Sequence, residues 1–172
     1  IEDDISKGIE PINAIDDELK AEVTLGFKNI VDKNISEGGM VRKEVYAEVS
    51  KITNKLIDAL SRSDVKIFYT IELMGTDMQM YYHSINVTIM SILTAMNMGV
   101  NEKDIFKMAT GSLLHDIGII RVDDFELSKT KNTSPKSKLA WDEPNIEADE
   151  LPKEHIEIGY NMVKSDNSLS PI

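Results

Sequence analysis

Between Met40 and Ser61 the apolar residues Val41, Val45, Val49, Ile52, Leu56 and Leu60 recur at three- and four-residue spacing, the period of a single buried stripe along a long amphipathic helix. Such a stripe has to be covered by a second layer of secondary structure. No stretch of the chain alternates with a period of two and no segment repeats, so the covering layer is expected to be helical too. The fold class is therefore expected to be all-α, a helical bundle of about five to seven helices.

The remaining elements follow from caps and breakers. Residues 1–24 hold eight acidic and two basic side chains, a solvated lead-in that turns helical around Asp16 to Asp32 and is broken by the "SEGG" run at Ser36 to Gly39. A short apolar helix is expected at Val65 to Met74, closed by Gly75, with Asp77 capping the next helix, which runs to about Met98. On that helix His83, Asn86, Val87 and Met90 share one side and Ile85, Ile89, Leu93 and Met96 another, which predicts two buried faces and a central position. Asn101 and Asp104 form a cap-like start for a helix to Ile117, with Gly118 as its stop. Arg121 to Asp149 is polar, contains Pro135 and Pro144, and reads as a loop with at most one short helix. Trp141 within it reads as a loop anchor. Pro152 opens a last helix, Lys153 to Lys164. Met78, Met80, Met90, Met96, Met98 and Met108 read as adaptable core filler.

At 172 residues the length suits one domain of roughly 100–200 residues. Thirty acidic against 19 basic side chains give a net charge of −11, which repels phosphate backbones and argues against a nucleic-acid polymer as partner. A small anionic ligand would need a local cation. The absence of cysteine excludes a disulfide framework and fits a cytoplasmic location. The most apolar stretch, Ile85 to Val100, is interrupted by Asn86, Thr88, Ser91, Thr94 and Asn97, so no membrane insertion by this segment is expected.

The chain has three histidines, His83, His115 and His155, and the middle one is followed at once by Asp116. Imidazole nitrogen and carboxylate oxygen are the donor types that hold divalent cations, and a carboxylate can bridge two of them. Taken alone, His83 reads as a hydrogen-bonded core histidine. His115 and Asp116 resist a structural explanation, because an aspartate at a helix C-terminus opposes the dipole unless a cation is bound there. His155, in "EHIEIG", reads equally as a solvent-facing helix turn or as a ligand.

The runs "YYHSINVTIM", "LLHDIG" and "HIEIGY" resemble, in order, the first three ligand motifs of the HD-GYP family, bacterial phosphodiesterases of the HD superfamily that degrade cyclic di-GMP. The histidines stand 32 and 40 residues apart. The resemblance covers roughly Tyr81 to Tyr160, with His83 to Val87 and Leu113 to Gly118 its most specific parts. It implies an HD-domain-like helical fold and two divalent metal ions, iron or manganese, held by His83, His115, Asp116 and His155. It further implies that Asp116 bridges the pair as the catalytic carboxylate, and that cyclic di-GMP is hydrolysed in bacterial signal transduction. Residues 1–40 are then a lead-in, a linker from an upstream domain. Residues 41–172 form a partial HD-GYP-like domain, cut before its C-terminal half, since a second His-His-Glu run and a Gly-Tyr-Pro turn belong downstream of His155. With at most three imidazoles and one matched carboxylate, the 172 residues alone are expected to be inactive. Two alternatives stay open: a non-catalytic signalling or dimerisation module, suggested by Ile119 where the family carries a phosphate-contacting lysine, and another HD-superfamily nucleotide phosphohydrolase. An upstream sensory domain and a second copy in a homodimer are the partners that the resemblance leaves open besides the substrate.

Overall fold

Asp16 accepts the backbone N–H of Leu19 on its side chain at 2.7 Å, which satisfies one of the donors that every helix start leaves open. From that cap α1 runs Asp17–Ser36, somewhat beyond the expected end. The computed structural model describes residues 14–36, 41–63, 78–121 and 154–164. Within them follow α2 (Lys43–Arg62), α3 (Gln79–Asn97), α4 (Glu102–Leu114), a 3-10 turn (Ile117–Arg121) and α5 (Glu154–Lys164). No strand occurs among the described residues, and the all-α expectation holds. No helix among them is long and apolar enough to cross a membrane. The helix expected at Val65 to Met74, its stop Gly75, the cap Asp77, Trp141, Pro152 and almost all of the 121–149 loop lie outside the described residues.

The stripe that predicts α2 is the stripe it buries: Val45, Val49, Ile52, Leu56 and Leu60, joined by Thr53 and Ile57. They meet Val23, Phe27, Ile30 and Val31 of α1 and Ile85, Ile89, Ile92 and Leu93 of α3 in one core. The helix within the acidic lead-in is thus part of this core. Each fully buried Leu or Ile contributes about 1.5–3 kcal/mol. Buried threonines enter the core without orphaning a hydroxyl, because each bonds back one turn: Thr24 to the Lys20 carbonyl, Thr53 to Val49 and Thr88 to Ser84. Phe27 and Tyr81 pack edge to face at 6.0 Å between ring centres, and the Tyr81 hydroxyl donates to Asp32 at 3.3 Å. These contacts tie α1 to α3 two residues ahead of His83.

The hairpin between α3 and α4 is set by two adjacent signals. Gly99, at φ +69°, donates to the Met96 carbonyl while Val100 donates to Ala95, the paired closure that a left-handed residue after a helix makes possible. Asn101 then caps α4, accepting from the Asp104 N–H at 3.1 Å and donating to its carboxylate at 2.7 Å.

Three expectations are corrected. α4 ends at Leu114 instead of Ile117, and Gly118 is not its stop. Gly99 is the glycine with positive φ among the described residues, whereas after Leu114 the chain tightens into the 3-10 turn, with Ile119 N–H on the Asp116 carbonyl at 3.0 Å. Only one face of α3 is fully buried: Ile85, Ile89 and Ile92 are sealed, while His83 and Met90 are exposed. Of the methionines, Met80 is in the core but Met90, Met98 and Met108 face solvent, because they fall on the open side of the hairpin.

Two outcomes are expected from the hairpin. Gly99→Ala places a Cβ in open space, so its whole cost is the left-handed backbone, about 1–2 kcal/mol. Asn101→Ala should remove about 1 kcal/mol through the lost cap. Urea unfolding of each variant measures both, and an unchanged midpoint for either contradicts the assignment.

Candidate metal centre

α3 presents His83 from its second turn, and the tight hairpin returns α4 so that its C-terminal end lies beside that turn. His115 is the C-cap of α4 and Asp116 the next residue. The imidazole rings of His83 and His115 lie 5.4 Å apart between centres. Asp116 is the buried member, with its side chain 12% exposed. One of its oxygens, Oδ2, lies 2.9 Å from His115 Nε2 and 3.6 Å from His83 Nε2. The other, Oδ1, lies 3.6 Å from His155 Nε2.

His155 arrives from α5 through a backbone contact. A Cβ at Gly118 would overlap the His155 carbonyl oxygen and lie 2.5 Å from the Gly159 nitrogen and 2.9 Å from its Cα. From the other side, a Cβ at Gly159 would lie 3.2 Å from the Gly118 nitrogen. Two glycines thus let the 3-10 turn and α5 approach main chain to main chain. That closeness brings the third histidine to the carboxylate. At its far end α5 is also bonded to the N-terminal half, the Val41 N–H donating to the Met162 carbonyl at 3.0 Å.

His115 is oriented from behind. Its Nδ1 lies 2.7 Å from the Ser112 carbonyl, so Nδ1 carries the hydrogen and Nε2 faces the site. The Ser112 hydroxyl in turn bonds Ser91 of α3 at 2.9 Å, which fixes the register of the hairpin. The hydrogen bond to Asp116 holds the His115 imidazole above its ordinary pKa against the opposing effect of burial, with the Ser112 carbonyl helping. His83 is shifted the other way, first by burial and then by the neighbouring His115, against the pull of Asp116. For Asp116 burial is the largest single influence and pushes upward. The hydrogen bond from His115 and the charges of the three imidazoles together still hold it below the usual carboxylate value.

The donor set fits a divalent cation. Ligand atoms of His83, His115 and Asp116 all lie within 4.8 Å of one another, and His155 stands outside that group, beside the second carboxylate oxygen of Asp116. Bonds of about 2.1 Å to nitrogen and oxygen put neighbouring ligands roughly 3.0–3.4 Å apart, close to the 2.9 Å and 3.6 Å separations seen here. The partly negative C-terminal end of α4 adds to the attraction for a cation. All four residues singled out in the sequence are brought together. Ser112 and Ser91 were not foreseen, and Ser112 could not have been, because the acceptor is a main-chain carbonyl that no residue type marks.

A helical bundle with histidines and an adjacent His-Asp pair converging on one point is the arrangement of a metal-binding site. The family model described as HD domain matches residues 80–171, more than half of the chain, and the chain belongs to that family. A search of curated proteins and a search of solved structures each gave no match.

In the metal-free protein, His115 should titrate above and His83 below an unperturbed imidazole. Asp116→Asn should bring His115 down, since it removes the charged acceptor that favours the imidazolium. NMR titration of the ring protons checks this, and coincident midpoints would contradict it. Gly118→Ala should cost about 1–3 kcal/mol by forcing apart two main chains that have no side chain to rotate away. Hydrogen exchange in α5 should rise with it while α3 stays protected.

Proposed function

We propose that this chain is part of a metal-dependent phosphodiesterase of the HD-GYP kind, with the cyclic di-nucleotide cyclic di-GMP as substrate. The observation that carries the reading is the Asp116 carboxylate, whose two oxygens face different histidines, His83 and His115 at one and His155 at the other. His83, His115 and Asp116 would hold one divalent ion, and Asp116 with His155 a second, iron or manganese by this mixed nitrogen and oxygen set. When bound, such ions supply Lewis-acid charge to phosphate oxygens and lower the pKa of water. The chain's own residues do the positioning. The Ser112 carbonyl turns His115 Nε2 toward Asp116, and burial strengthens every attraction that Asp116 makes. His83, 43% exposed at its side chain, and His115, at 34%, form the open side by which a substrate can approach, while His155 at 13% lies behind. The subfamily and the substrate rest on the HD-GYP-like runs at His83 to Val87 and Leu113 to Gly118.

One observation favours a second reading. Ile119 is 4% exposed and belongs to the hydrophobic core, so the position where HD-GYP proteins carry a phosphate-contacting lysine offers no charge here. A non-catalytic signalling or dimerisation module would need none.

Titration of the metal-free protein with Mn²⁺ or Fe²⁺ separates these readings. Asp116→Ala should weaken binding by more than the roughly 10–100-fold that follows loss of an outer-shell partner. Cyclic di-GMP added to the loaded 172 residues should show no appreciable cleavage, given this small donor set, and robust metal-dependent turnover abolished by His115→Ala would show instead that these residues suffice. Metal binding lost in Asp116→Ala supports the phosphodiesterase reading, and no metal binding overturns it and leaves the module, which needs no ion.

A further inference from the structure

His155 reaches Asp116 only as far as α5 is held in place, and among the described residues two main-chain contacts hold it, besides the packing of Ile158, Met162 and Val163 on the core. The first is the main-chain contact with Gly118, which spans one turn from His155 to Gly159. A helix resting on a single turn of steric contact can still roll about it. The second lies at the other end, where Val41, fully buried at 0% exposure, donates its N–H to the Met162 carbonyl at 3.0 Å. Met162 is itself 5% exposed and packed in the core. Between these ends the outer face of α5 is open, with Ile156 64% and Tyr160 59% exposed. Seven residues separate His155 from Met162, about 10 Å along the helix, so a small roll at the Met162 end displaces the imidazole. The margin is narrow. His155 Nε2 stands 3.6 Å from Asp116 Oδ1, and a shift of about 1 Å decides whether both can reach one ion.

We propose that Val41 is a positioning residue for His155: its backbone N–H fixes the roll of α5, so the segment that opens α2 sets the geometry of a ligand 114 positions later in the sequence. The inference rests on the reading of His155 as a metal ligand, and it makes the α1–α2 pair part of the site's construction.

The test is a double-mutant cycle read by metal affinity. Val41→Pro deletes the N–H and keeps an apolar side chain, while Val41→Ala keeps the N–H and shortens the side chain. Calorimetric titration with Mn²⁺ should show Val41→Pro weakening binding about tenfold, Val41→Ala much less, and Val41→Pro adding nothing in a His155→Ala background. Equal losses from Val41→Pro in both backgrounds would mean a general structural effect and would overturn the proposal. If His155→Ala itself leaves affinity unchanged, the ligand reading fails instead. Should Val41→Pro not fold, hydrogen exchange on the unaltered protein decides. Mn²⁺ should slow exchange of the Val41 amide together with the amides of α5, and a Val41 amide indifferent to metal while α5 gains protection would overturn the proposal.

Discussion

The tight return between α3 and α4 is the constraint on which the rest depends. Helix, left-handed glycine and asparagine cap follow one another within a few residues, leaving the two helices no freedom except to lie antiparallel in one register. The Ser91–Ser112 bond holds that register from the side. Because the helices are locked, a residue in the second turn of α3 and a residue at the end of α4 must meet. His83 and His115 meet for that reason and not because either attracts the other, since two imidazoles at 5.4 Å repel when both are charged.

The electrostatics of the centre describe a site made for a positive guest. A carboxylate on a side chain only 12% exposed would ordinarily be pushed toward its neutral form, yet the imidazoles around it favour the ionised one. His115 pairs with it only by carrying a proton on each ring nitrogen, one toward Ser112 and one toward Asp116. His83, pushed toward neutrality, is ready to donate its lone pair.

Much of this was legible because it is periodic or chemically rare. The α2 stripe repeats over five turns, and the Asn101 cap has its reciprocal partner three residues on, so both could be read from spacing. The His-Asp pair is hard to explain by packing, so it announced a site. The failures share a cause: residue type was informative and neighbourhood was not. Gly118 after a helix reads as a stop, but what demands a glycine there is α5, some forty positions away. The methionines of α3 and α4 read as core because methionine is usually buried, yet the side of the hairpin on which they fall is set by tertiary packing. The Val41–Met162 bond joins two main chains and leaves no trace in composition.

The contact between Gly118 and α5 has a consequence for how this chain can vary. At most packed positions a larger side chain is accommodated gradually, because the neighbours are side chains that can change rotamer. Here the neighbours are a carbonyl oxygen and an amide nitrogen of a helix, which cannot turn aside without breaking the helix or moving it whole. The response to substitution is therefore a step and not a slope: the first methyl group already forces α5 outward, and further atoms add little. A lineage that loses Gly118 loses the third histidine's reach in the same event.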